Sequence, residues 1–91
     1  MFLVEGSIYF ELFYVNGLKG RRKIISSLKE KLSKYNLSLL DISSSYVKEA
    51  RLAFCFLAFS KDDISKKIST IQKVIEKNFP EIEYEIDYGE V

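Results

Sequence analysis

The chain has 91 residues, 47% of them hydrophobic, with 14 Lys and Arg against 13 Asp and Glu, and no histidine. That length suits one domain spanning residues 1–91, and a composition with four Gly and one Pro excludes a disordered or fibrous chain. Without histidine the commonest metal ligand and general base is missing.

Other absences narrow the field. The single cysteine, Cys55, cannot staple the chain to itself and reads as a small buried hydrophobe within Leu52-Ala53-Phe54-Cys55-Phe56-Leu57. No apolar run approaches the roughly 18–20 residues that span a bilayer. The opening Met1-Phe2-Leu3-Val4-Glu5 lacks the basic segment and long apolar core of a secretory signal. A cytoplasmic, non-membrane protein is expected.

From Ile8 the chain alternates, with Ile8, Phe10 and Leu12 on one side and Tyr9, Glu11 and Phe13 on the other. Strand neighbours point to opposite faces, so this predicts a first strand. Asn16-Gly17 marks a turn. A helix is predicted from about Gly20 to Tyr35, its apolar stripe made by Ile24, Ile25, Leu28, Leu32 and Tyr35. Arg21 projects near that stripe, where its stem can lie over apolar surface. Asn36 is the expected stop.

Residues 37–43 read as a short second strand, ended by the polar run Ser43-Ser44-Ser45-Tyr46. Residues 51–59 are apolar on both faces, which predicts a central third strand. Ser60 and Asp63 form a capping box for a second helix carrying Ile64, Ile68, Ile71 and Ile75, and Pro80 ends it at or before Phe79. Ile82, Tyr84, Ile86 and Tyr88 then alternate with Glu81, Glu83, Glu85 and Asp87, as in a half-wet edge strand.

The order βαββαβ with right-handed crossovers predicts an α+β, ferredoxin-like two-layer sandwich: a four-stranded antiparallel sheet with both helices on one face. The covered face takes Ile8, Phe10, Leu12, Ile82 and Ile86. The open face takes Tyr9, Glu11, Phe13, Glu83 and Glu85, plus either Phe54 and Phe56 or Ala53, Cys55 and Leu57 from the third strand. Tyr9, Phe13, Phe54 and Phe56 are therefore the candidates for self-association. An RNA-binding sheet needs aromatics beside positive charge, and here the neighbours are carboxylates.

Charge is unevenly distributed along the chain. Residues 19–34 hold seven Lys or Arg and one acid, whereas residues 81–91 hold five acids and no base. Lys19, Arg21, Arg22, Lys23, Lys29, Lys31 and Lys34 are candidates for contacting RNA or a small anion, with Gly17 and Gly20 permitting close approach at the helix start. A solvated helix face accounts for the same lysines. Gly17-Leu18-Lys19-Gly20 lacks the spacing of a P-loop. The acids at 62, 63 and along the last strand read as first-turn and edge-strand charges, and no nucleophile has an adjacent base. No catalytic residue, metal ligand, cofactor or small-molecule substrate is expected.

Gly17-Leu18-Lys19-Gly20-Arg21-Arg22 resembles the Ser-Leu-Lys-x-Lys-Arg signature of the YlxP-like family of small bacterial proteins, with Leu18, Lys19 and Arg22 matching directly. Tyr35-Asn36-Leu37-Ser38-Leu39 is similar to that family's Phe-Asn-Val-Ser-Val, Leu40-Asp41-Ile42 to its Ala-Glu-Val, and Ala50-Arg51-Leu52 to its Ala-x-Leu. Val47 stands where many members carry Trp, and Glu49 where they carry Arg. The resemblance implies a ferredoxin-like fold and, because the family's genes often lie among those for translation and ribosome maturation, a ribosome-linked role. Three readings follow: a non-catalytic module contacting ribosomal or other structured RNA, a homodimer joined through the open sheet face or a sheet edge, and a small phosphate-sensing domain.

Overall fold

A computed structural model describes all residues, Met1 to Val91. The elements are β1 (Phe2–Glu11), α1 (Gly17–Ser33), β2 (Ser38–Asp41), β3 (Glu49–Ala58), α2 (Lys61–Asn78) and β4 (Glu83–Glu90). They form one antiparallel sheet in the order β2-β3-β1-β4, with the helices packed on one face. The predicted βαββαβ sandwich is the observed one, with β3 interior and β4 at an edge.

Strand parity sets the core. Val4, Ile8, Phe10 and Leu12 from β1 and its end meet Ala50, Leu52, Phe54, Phe56 and Ala58 from β3, all buried under the helices. Ile25, Leu28 and Leu32 of α1 close over them, with Ile64, Ile68, Ile71, Val74 and Ile75 of α2. Phe54 and Phe56 stack at 6.1 Å between centroids. Their burial corrects their assignment as self-association candidates. The aromatic pair is the larger apolar payload of β3, so it takes the covered face, and Ala53, Cys55 and Leu57 take the open one.

Element ends also differ from the sequence reading. β1 starts six residues earlier than Ile8, because Gly6-Ser7 interrupts the apolar alternation without interrupting the ladder. A Cβ at Gly6 would lie 2.4 Å from the Asp87 carbonyl oxygen and 2.7 Å from Phe54 Cζ, so the glycine makes room for the ring. α1 starts at Gly17, whose φ of +87° favours glycine, and ends before Tyr35. Asn36, at φ +59°, makes the left-handed exit expected of it. Ser60 Oγ accepts from the Asp63 N–H at 3.2 Å, while the Asp63 carboxylate reaches back to the Phe59 N–H at 3.1 Å, one residue before the usual capping-box partner.

Gly6→Ala forces backbone or the Phe54 ring to move and should destabilise the fold by about 2–3 kcal/mol. Chemical denaturation of the two proteins checks this; a loss within error would show that the β1–β4 contact is loose.

Candidate functional site

Charge sorts by layer. α1 and α2 together carry eleven Lys and Arg and four acids. The four strands carry eight acids and one base, Arg51. The near-neutral chain therefore has a basic helical side and an acidic sheet side. The sequence reading found the basic half only in α1; the matching lysines of α2, Lys61, Lys66, Lys67, Lys73 and Lys77, are scattered among apolar positions and escape a search for runs.

Lys19, Arg22, Lys23 and Lys34 are exposed, and Lys29 and Lys31 are half-buried. Arg21 is buried, which corrects its assignment as an anion ligand. Its Nη1 donates to the carbonyls of Ser44 at 2.7 Å, Tyr46 at 3.0 Å and Glu49 at 3.3 Å. All three bonds leave one nitrogen with two N–H groups, so one N–H is shared between two carbonyls. Lys48 cross-ties the same end of the sandwich, donating to the carbonyls of Phe13, at 3.2 Å, and Val15. Two cations are thus consumed in fastening the β1–α1 and β2–β3 loops. Gly20 sits against Val15, where a Cβ would come within 3.0 Å of Cγ1. Asp41, at the end of β2, loses solvation, but hydrogen bonds from the Ser43 hydroxyl and N–H, with the charges of Arg21 and Lys29, hold its carboxyl below the usual range.

Lysines from both helices border a groove of about 410 Å³: Lys31 and Lys34 on one side, Lys73 and Lys77 on the other, with Tyr35, Thr70, Val74 and Asn78 between them. No carboxylate lines it.

The open sheet face has two halves. Leu3 lies opposite Leu57 and Leu40 opposite Ala53, and with Ile42 they form an exposed apolar area over β2, β3 and the start of β1. Beside it runs a shallow trough of about 600 Å³ whose lining mixes Leu40, Ile42 and the half-buried Cys55 with the acids Glu5, Asp87 and Glu90. The other half is acidic. Hydrogen bonding to Glu83, burial, and the charges of Glu83, Glu85 and Glu49 push the Glu11 carboxyl up. Tyr9 donates to Glu49 at 2.7 Å, which pushes its phenol up to about 12, and Arg51 stands 5.3 Å over its ring. Tyr9 is thereby occupied within the face. Phe13 lies beyond the strand, in the loop, and is exposed.

A family profile described as a protein of unknown function, DUF503, matches residues 6–87. The chain belongs to that family. The YlxP-like resemblance agrees with it. No curated protein matches the sequence significantly. Among solved structures, the de novo designed protein Foldit4 superposes with a TM-score of 0.60 at 16% identity, covering 96% of each chain. The designed ferredoxin-fold protein LFR1 1 gives 0.61 at 11% identity, covering 97% of this chain and 85% of its own. A dimeric ferredoxin-like protein from an uncultured marine organism gives 0.54 at 16%, covering 98% and 94%. These likenesses establish the fold. No helix of the family member is long and apolar enough to cross a membrane.

Arg21→Ala leaves three carbonyls short of their donor and should cost about 2–3 kcal/mol. Arg21→Lys should recover part of the loss, because its ammonium offers three N–H groups to the same carbonyls but from a shorter stem. Thermal or urea unfolding of both variants checks the assignment; full recovery by lysine would mean that charge alone matters at this position.

Proposed function

We propose that this protein is a non-catalytic binding module that docks structured RNA, ribosomal RNA included, through its helical layer. The observation that carries the reading is the division of charge between the layers: ten cations besides the buried Arg21 against four acids on the helices, and eight acids against one base on the strands. A phosphate backbone is drawn to the first surface and repelled by the second. That asymmetry orients the molecule at encounter, and lysine-rich helices favour recognition by backbone shape over base sequence. Lys19, Arg22, Lys23, Lys29, Lys31 and Lys34 remain candidates, joined by the lysines of α2.

A second reading, compatible with the first, rests on the apolar half of the open face. Leu40 and Leu57 are each 63% exposed and Leu3 and Ile42 each 44%, all on the open face, with Leu3 opposite Leu57 and Leu40 opposite Ala53. Apposition of two such surfaces would form a homodimer with both basic layers turned outward. One structurally similar protein is itself dimeric, which supports self-association of this fold. A phosphate-sensing domain built on the start of α1 is less well supported, because Arg21 is already engaged.

Affinity for isolated ribosomal subunits or an RNA hairpin should fall about 30- to 100-fold between about 50 and 200 mM salt, as expected for roughly three to four neutralised phosphates. A flat salt response rejects RNA docking. Sedimentation at micromolar protein should show a dimer that Leu40→Glu with Leu57→Glu converts to monomers, since burying two carboxylates without partners opposes association. A wild-type protein that stays monomeric at every concentration rejects the second reading.

A further inference from the structure

We infer that the groove between the two helices, bordered by Lys31, Lys34, Lys73 and Lys77, is where the phosphodiester backbone is gripped. This inference rests on the RNA-docking reading and names the part of the helical layer that makes the contact. Three features distinguish the groove from the rest of that layer.

The first is convergence. Lys31 and Lys34 belong to the end of α1 and Lys73 and Lys77 to the later half of α2, so two elements far apart in sequence bring four lysines to one concavity of about 410 Å³, where the Lys31 ammonium also donates to Ser27 Oγ at 3.3 Å. Cations on a convex helix face each point outward to separate water, whereas cations around a groove act on the same ligand. Their fields reinforce at separations below the Debye length, about 8–10 Å at physiological salt.

The second is the cost of assembling them. Lys73 and Lys77 are four residues apart, a spacing at which like charges oppose helix formation. The nearby acid of α2, Glu76, does not line the groove; its carboxylate accepts a hydrogen bond from the Tyr84 phenol on the sheet side. This repulsion, partly offset because Lys31 and Lys77 lie in last turns where the helix dipole favours cations, is relieved when an anion enters.

The third is the competing position. At the start of α1 the arginine best placed to fork onto a phosphate, Arg21, is spent on loop carbonyls. Arg22 and Lys23 point to solvent there. In the groove, by contrast, Lys73 and Lys77 are exposed, and the Tyr35 ring at its edge offers a surface for a sugar or base.

The test compares two variants of equal charge change, Lys73→Gln with Lys77→Gln and Arg22→Gln with Lys23→Gln, by fluorescence titration of an end-labelled RNA hairpin across a salt series. Long-range attraction is weakened equally in both, so a difference reports contact. The groove variant should bind about tenfold or more weakly at 0.1 M salt, with the salt slope reduced by about 0.7–0.9 per lysine removed. The other pair should lose less. The groove variant should melt close to the wild type, because the lost repulsive pair offsets the lost last-turn cation. Equal losses, or a larger loss at Arg22 and Lys23, overturn the groove assignment and leave RNA docking standing. A wild-type protein that ignores the hairpin yet binds polyglutamate overturns both, and assigns the basic layer to an acidic protein instead.

Discussion

Four strands covered by two helices leave one sheet face without a partner, and most of what is distinctive in this protein follows from that. Each strand must divide its side chains between a dry face and a wet one, because successive residues point to opposite sides. β1 sends Val4, Ile8 and Phe10 inward and Glu5, Ser7, Tyr9 and Glu11 outward. β4 sends Glu83, Glu85 and Asp87 to the same outward side, while Glu90 lies opposite the buried Val4. The helices, hydrophobic on the stripe that covers the sheet, have only their outer faces for lysine. A chain of nearly zero net charge is therefore divided into a positive layer and a negative layer by packing alone.

Within that frame, not every cation belongs to a surface. Arg21 and Lys48 fasten two loops at one end of the sandwich by donating to main-chain carbonyls. Those carbonyls would otherwise lose water without gaining donors, which is expensive for backbone polar groups. The basic signature at the start of α1 thus combines two physical tasks: a buried guanidinium that holds the fold, and exposed neighbours available to a partner. Lys67 is similar, bonded to the Tyr35 carbonyl and poised 6.0 Å over the Phe56 ring.

The basic helical layer and the apolar half-face lie on opposite sides of the sheet, so the two proposed contacts do not compete. An apolar half-face can pair with a second copy while the helical layer remains free, and pairing would place two lysine grooves on one particle. Avidity would then raise affinity for an extended polyanion if its length spans both grooves. The strip beside the apolar area is acidic, and its crowded carboxylates push the Glu11 carboxyl up.

Element type and order were legible in the sequence, because amphipathic periods of two and of 3.6 residues are local properties. Asn36 as the exit of α1 and Ser60 as the cap of α2 were legible for the same reason. The early start of β1 was hidden, since Gly6 carries no apolar signal and its necessity comes from Phe54 on another strand. The face of β3 could not be read, because both of its sides are apolar and only the helices' position chooses between them. Nor could the burial of Arg21 or the meeting of Lys31 and Lys34 with Lys73 and Lys77. Those are contacts between segments distant along the chain, and a one-dimensional pattern records what a residue is without recording what folds against it.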